Sequence, residues 1–423
     1  MEFERTVLPG GTRVLTEHMA EVRSVALGFW IGVGSRDEPE ELAGSCHFLE
    51  HLLFKGSKSH TGRLIAELFD SVGGEANAFS AKEYTCLYAR ILDKDLETAV
   101  EVLSDMVRNP LLLPLDVETE RNVILEELAM HEDTPEDLVH DIFTETLFGS
   151  HPLGREVMGT AETVASITPE TLRSFHEGSY HSANIVVAAA GNADHEKLVK
   201  WVDSEFGAER HRPLERSSAP DKPSSSSRVI SRRTEQAHIV IGGIGYGRDD
   251  PRRFAWGVLD NLLGSGSSSR LFQEIRENRG LAYSVFSYRN TFTEIGSWAI
   301  YAGTAPRNVP ELIEVIDTEL DRLITDGITQ EELQRAKGCT RGSTVLALED
   351  PASRMTRIGK TELVKGEQLT IDEIIARVDA VTREDVAEVA RDLLVPQRRV
   401  LSAIGPFSVG ELERVEEASR ATA

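Results

Sequence analysis

Two stretches of this chain, offset by about 212–214 residues, follow one plan. Residues 24–34 form an alternating run that gives way to the charged, Pro-ended segment 35–39 and then to a helical pattern. Residues 237–247, 248–251 and the pattern after them do the same, and the far ends 184–191 and 398–405 correspond as well. A repeat whose register holds across a whole domain means one fold built twice. A chain of 423 residues also exceeds what one core supports, since single cores stop growing at about 250–300 residues. Between the copies, residues 209–227 are rich in Pro and Ser and lack apolar periodicity, the composition of a linker. The expected organisation is therefore a first domain over 1–208, a linker over 209–227 and a diverged second copy over 228–423.

In the first copy, alternation predicts strands near 12–17, 22–32, 75–81, 84–91 and 183–190. The 3.6-residue period predicts helices near 42–54, 61–72, 95–108, 115–132, 135–148, 168–178 and 194–205. Strand runs kept apart from helix runs predict an α+β fold: two similar duplicated domains, each a mostly antiparallel sheet with helices packed on it.

Charge and cysteine usage narrow the function classes. A formal net charge of −24 repels phosphate backbones, so no nucleic-acid partner is expected. Cys46, Cys86 and Cys339 are an odd, widely spaced set, neither a disulfide framework nor a four-cysteine zinc site, and suit a reducing compartment. The first residues lack the basic and apolar regions of a signal peptide. No stretch approaches the roughly 18 apolar residues of a membrane span. The expected setting is the cytoplasm, away from membranes.

The pattern that carries chemistry is H-x-x-E-H at His47, Glu50 and His51, inside the helical stretch 42–54. Residues four apart share a helix face, so both imidazoles can reach one ion, while Glu50 borders that face and can stand over a water. Imidazole and carboxylate suit zinc, and catalytic zinc sites use three protein ligands plus water. The ion brings the pKa of its water toward about 7, and a nearby carboxylate takes the proton. Helix 115–132 offers Glu120 and Glu127, two turns apart on one face. Either could be the oxygen ligand, and residue chemistry alone leaves that choice open. Cys46, next to a candidate ligand, reads as helix packing.

The run HFLEHLLFKG at 47–56, with ERNVILEE at 120–127 downstream, resembles the pitrilysin/insulinase metallopeptidases, the inverzincins. The likeness is closest to the branch that includes mitochondrial processing peptidase and bacterial homodimeric relatives, and GGEANAFS at 73–80 and HPLGR at 151–155 extend it. The resemblance implies one Zn2+ per chain on His47, His51 and Glu127, Glu120 as the carboxylate that orients a ligand histidine, and Glu50 as general base. It implies that strand residues Asn77, Ala78 and Phe79 offer an edge to an extended peptide substrate. It also implies that Arg276 and Tyr283, seven apart, match the family's Arg/Tyr pair and hold the substrate near the metal.

In the repeat register His47, Glu50 and His51 fall on Leu259, Leu262 and Leu263, so the second copy cannot hold the metal and is expected to bind substrate. The Gly/Ser stretch 263–269 lacks a phosphate-loop pattern. Long family members join four such domains, so the resemblance implies a homodimer around a closed chamber, with sites completed in trans. The function expected is zinc-dependent endopeptidase cleavage of peptides or unfolded segments. The competing reading is a noncatalytic structural or partner subunit of the same fold, against which the intact metal motif argues.

Overall fold

The structure, a computed structural model, describes residues 3–206, 216–364 and 367–407. It divides into two compact units. The first comprises Met1–Ala129, Glu156–Ser217 and Val345–Thr370; the second comprises Met130–Arg155, Ser218–Thr344 and Ile371–Ala423.

The strands of the first unit are β1 (Glu4–Val7), β2 (Arg13–His18), β3 (Ser24–Ile31), β4 (Glu75–Ser80), β5 (Thr85–Leu92) and β6 (Ile185–Gly191). They form one sheet in the order β1-β2-β6-β3-β5-β4, antiparallel except for the β2–β6 pair. The second unit holds β7 (Ser227–Ser231), β8 (Ala237–Tyr246), β9 (Ala282–Thr291), β10 (Ile295–Thr304) and β11 (Val400–Gly405). Their order is β7-β11-β8-β10-β9, and only β7–β11 is parallel. Set β1 aside and the two orders are the same, strand for strand. The duplicated, mostly antiparallel α+β fold expected from the repeat is the fold observed.

The helices are α1 (Ser45–Leu53), α2 (Gly62–Val72), α3 (Leu96–Arg108), α4 (Pro114–Glu132), α5 (Pro135–Phe148), α6 (Ala161–Ser166), α7 (Pro169–Ser179) and α8 (His195–Glu205). After them come α9 (Arg253–Gly264), α10 (Val309–Thr325), α11 (Gln330–Ala347), α12 (Pro351–Leu363), α13 (Ile371–Ala380) and α14 (Arg383–Leu393). Among the described residues no helix is long and apolar enough to cross a membrane.

Successive side chains of a strand point to opposite sides, and in the central strands β3 and β6 both sides are buried. Val25, Leu27, Phe29 and Ile31 of β3, with Ile185, Val187 and Ala189 of β6, join the large core under α1, α3 and α8. The alternate residues Ala26, Trp30, Val186, Ala188 and Ala190 face Met355, Ile358 and Leu363 of α12. This explains why β6 reads as an unbroken apolar run instead of an alternating one. The helix lies very close: a Cβ on Gly28 would come within 2.4 Å of Met355 Sδ, and one on Gly359 within 2.3 Å of Trp30 Nε1. Glu17, 1 % exposed, ties α12 down through Arg354 Nη1 at 2.5 Å and Arg357 Nη2 at 2.8 Å.

The second unit repeats the arrangement with α5. Ile142, Phe143 and Leu147 pack on Val240, Ala299, Val400 and Ile404, while Ile239, Ile241, Ile300 and Leu401 face the core under α9, α10 and α14. Each sheet is thus covered on its second face by a helix from the opposite half of the sequence. The expected cut separates the two sheets, yet residues 130–155 belong with the second sheet and 345–370 with the first. Of the expected linker, residues 209–215 lie outside the described residues; Arg216 and Ser217 group with the first unit, and β7 begins at Ser227. The structure adds β1 and α6, each too short for periodicity to reveal.

Candidate metal centre

The first unit positions the metal motif through the burial of α1. Ser45, Cys46, Phe48, Leu49, Leu52 and Leu53 are buried, which leaves His47, Glu50 and His51 together on the remaining stripe of a nine-residue helix. Its amino end is closed from outside the helix. Gly44 takes a left-handed conformation (φ 97°), and Glu38 accepts hydrogen bonds from the backbone N–H of Gly44 at 2.9 Å and of Cys46 at 2.6 Å. Burial raises the Cys46 thiol well above its ordinary range, so it is a packing residue and not a nucleophile.

Helix α4 brings the carboxylates. Val117, Glu120, Ile124 and Leu128 form its buried stripe, and Glu127 stands at the stripe's edge, half-exposed. Glu127 Oε2 lies 3.7 Å from His47 Nε2 and 3.5 Å from His51 Nε2. One donor atom from each of His47, His51 and Glu127 falls within 4.8 Å of the other two. Tetrahedral ligands at about 2.0–2.1 Å from zinc stand about 3.4 Å apart, so this donor set fits one zinc ion.

Glu120 has a different place. Its Oε2 accepts from His51 Nδ1 at 3.1 Å, and its Oε1 lies 2.6 Å from Lys55 Nζ. A proton on His51 Nδ1 leaves the Nε2 lone pair facing Glu127, the tautomer a metal ligand needs. Burial, helped by the charge of His51, pushes the pKa of His47 down to about 4, so its imidazole stays neutral near pH 7. Its Nδ1 is buried without a hydrogen-bond partner among the described residues, in contrast to the Nδ1 of His51.

Glu50 belongs to the same stripe but not to the donor cluster. Burial raises its pKa above the ordinary carboxylate range, while Ser80 and His51 pull it back. A carboxylate shifted toward neutrality is a better proton acceptor and donor at pH 7 than a solvated one. Ser80 sits at the end of β4, and β4 is an edge strand of its sheet. Asn77 and Phe79 are exposed on that strand and Ala78 is buried; the Ala78 N–H donates to Asn77 Oδ1 at 2.8 Å. Lys55 and Ser80 both stand inside the motifs read from the sequence, yet their contacts with Glu120 and Glu50 were not foreseen. The spacing of Lys55, one helical turn after His51, was the available signal.

Comparison with known proteins places this arrangement. Residues 13–161 match the model of the insulinase peptidases, family M16, and residues 166–338 match the model of the M16 inactive domain. The chain belongs to peptidase family M16. Among its relatives, an uncharacterized zinc protease of Streptomyces coelicolor is 48 % identical over 98 % of this chain and 92 % of its own length. The uncharacterized zinc protease YmxG of Bacillus subtilis is 40 % identical over 96 % of this chain and 98 % of its own. A crystal structure of a peptidase M16 inactive domain from Pseudomonas fluorescens shares the fold, with a TM-score of 0.89 over 96 % of this chain and 99 % of that one at 22 % identity. Membership of M16 supports a peptidase-type function.

The remaining M16 residues expected from sequence lie in the second unit. The Arg276 guanidinium stacks over the Tyr283 ring at 4.3 Å and over Phe272 at 4.8 Å, and its Nη1 donates to the Tyr283 carbonyl at 3.2 Å. Arg276 lies on a π-helical turn, Phe272–Glu277, and the Tyr283 side chain is held out in the open at 77 % exposure. The structure therefore brings this pair together, as it does His47, His51 and Glu127. The leucines that replace the motif in the second copy, Leu259, Leu262 and Leu263, are core residues of α9.

Proposed function

We propose that this chain is a zinc-dependent endopeptidase that cleaves peptides or unfolded segments. The observation that carries the reading is the convergence of His47 Nε2, His51 Nε2 and Glu127 Oε2, at 3.7 and 3.5 Å, on a spacing suited to one zinc ion. A bound zinc ion supplies a Lewis acid that polarises a carbonyl and makes water acidic near neutral pH. His47 contributes because burial keeps it neutral, and Glu120 contributes by fixing the His51 tautomer. Glu50 accepts a proton from water and returns it to the leaving amine. Its Oε2, buried without a partner among the described residues, is the atom assigned to that transfer. The open edge of β4 at Asn77, Ala78 and Phe79 offers an extended peptide main-chain hydrogen bonds. Arg276 and the Tyr283 hydroxyl hold the substrate carbonyl.

The test separates metal binding from turnover. Glu50→Gln is expected to keep one zinc per chain and to lose peptide cleavage; full activity in that variant refutes the role. Long members of the family join four such domains where this chain has two, so we further propose a homodimer in which each Arg276/Tyr283 pair serves the partner's metal inside a closed chamber. Mixing His51→Ala protein with Arg276→Ala protein should restore cleavage, and none restored would refute sites completed in trans.

A noncatalytic partner subunit is the second reading, favoured by the match of residues 166–338 to a domain described as inactive. That match lies outside the metal cluster, which is carried by residues 47–127. Zinc content measured alongside cleavage of a quenched fluorescent peptide separates the two readings.

A further inference from the structure

We propose that a second site in the first unit, a basic cleft sharing no residue with the metal cluster, binds a small polyanion carrying two or more phosphate groups. The cleft has a volume of about 650 Å³ and is lined by Lys58, Arg108 and Arg173, with Glu177 and the apolar Pro110 and Leu111 beside them. Three cationic side chains against one carboxylate are unexpected in a chain of net charge −24.

What the cations lack is the stronger observation. Elsewhere in the chain arginines pair with acids, as Arg36 does with Glu83, Arg216 with Asp37 and Arg399 with Asp317. Arg108 and Arg173 have other contacts. The Arg108 guanidinium lies over the Phe206 ring at 5.4 Å, and Arg173 Nη2 donates to the Leu111 carbonyl at 3.2 Å. Neither these two nor Lys58 is ion-paired with a carboxylate among the described residues.

The wall carrying Lys58 is built rigidly. In the turn after α1, Ser57 Oγ donates to Asp105 Oδ2 at 2.6 Å, the Ser59 N–H to the same oxygen at 2.9 Å, and His60 Nδ1 lies 3.1 Å from it. The Lys58 N–H donates to the Asn109 carbonyl at 3.0 Å, next to Arg108. The backbone at Lys58 is thereby fastened to the end of the helix that carries Arg108, while Arg173 stands on α7. Guanidinium groups suit phosphate through paired donors, and a lysine adds a point charge. A volume within the usual range of about 300–1,000 Å³ for small-molecule sites exceeds what one inorganic phosphate fills. A linear oligophosphate can meet cations on separate walls at once, which a single phosphate cannot.

The experiment is calorimetric titration of inorganic triphosphate into the full-length protein. The parent, an Arg108→Gln/Arg173→Gln variant, a Glu177→Gln variant and an Arg23→Gln/Arg63→Gln control, altered on the exposed surface, are compared. One saturable site per chain is expected in the parent and the control. It should be weaker by at least about tenfold in the double cleft variant, because two charge-assisted contacts are lost, and tighter in Glu177→Gln. All the altered side chains lie at or near the surface, so melting temperatures should match the parent's and confirm intact folds. No saturable binding at millimolar triphosphate, equal affinity in parent and double cleft variant, or weaker binding in Glu177→Gln overturns the proposal. Binding is read directly, so the outcome does not depend on peptidase activity.

Discussion

Replacing Glu120 with Gln tests how the protein prepares its metal ligand. Glu120 is 3 % exposed and serves two neighbours at once, His51 Nδ1 at 3.1 Å through one oxygen and Lys55 Nζ at 2.6 Å through the other. Glutamine keeps the shape but has only one acceptor oxygen. It can take the His51 proton or face Lys55, and the amide NH2 then meets a donor at the other position. A metal-bound histidine also loses the negative charge that raises its basicity, a change that typically costs about 10–100-fold in metal affinity. At about 1.4 kcal/mol per tenfold, that is about 1.4–2.7 kcal/mol, within the range for a charge-assisted hydrogen bond. The Lys55 side chain is 40 % exposed, so the loss of its ion pair should change the stability of the zinc-free protein by less than about 1 kcal/mol. Competition for zinc with a chromophoric chelator measures the first quantity, and urea unfolding of the zinc-free protein measures the second. A zinc affinity within twofold of the parent's, with the fold intact, would refute this account of Glu120.

Two other outcomes follow from burial. Glu17→Gln removes the carboxylate that the Arg354 and Arg357 guanidiniums share, and leaves them their bonds to the Leu348 and Leu369 carbonyls. Breaking a buried pair in this way costs about 3–5 kcal/mol, read as a lower urea midpoint. The zinc-free protein should also lose stability as the pH falls from about 6.5 toward 5. Burial lowers the pKa values of His47, to about 4, and of His140, His176 and His238. The unfolded chain therefore takes up protons in that window that the folded chain refuses, and above it neither state is charged and nothing is lost. Glu50 and Asp317, raised by burial, oppose the trend as they gain protons early, and the histidines are expected to outweigh them. Urea midpoints that stay flat or rise between pH 6.5 and 5 would contradict this.

Local pattern made much of this legible. Helix α1 shows its purpose in nine residues, since the apolar positions claim the core and leave His47, Glu50 and His51 on one stripe. The repeat gave the duplicated sheets, because β3 and β8 carry their apolar runs in matching places. Helical spacing could not choose between Glu120 and Glu127, which share a face. The choice depends on how deeply α4 sits, and only the packing of Val117, Ile124 and Leu128 fixes that depth. The exchange of α5 and α12 between the halves was hidden for a related reason. An amphipathic helix shows that it must cover something, but not which sheet. The contacts that decide it, Gly28 against Met355 and Gly359 against Trp30, join residues more than 300 positions apart.

The central claim is tested most directly by anomalous diffraction at the zinc edge from crystals of the zinc-loaded protein. One anomalous peak per chain, bonded to His47 Nε2, His51 Nε2 and a Glu127 carboxylate oxygen with Glu120 behind His51, is the expected result. A peak elsewhere, or a fully loaded crystal with no peak between those three side chains, would contradict it.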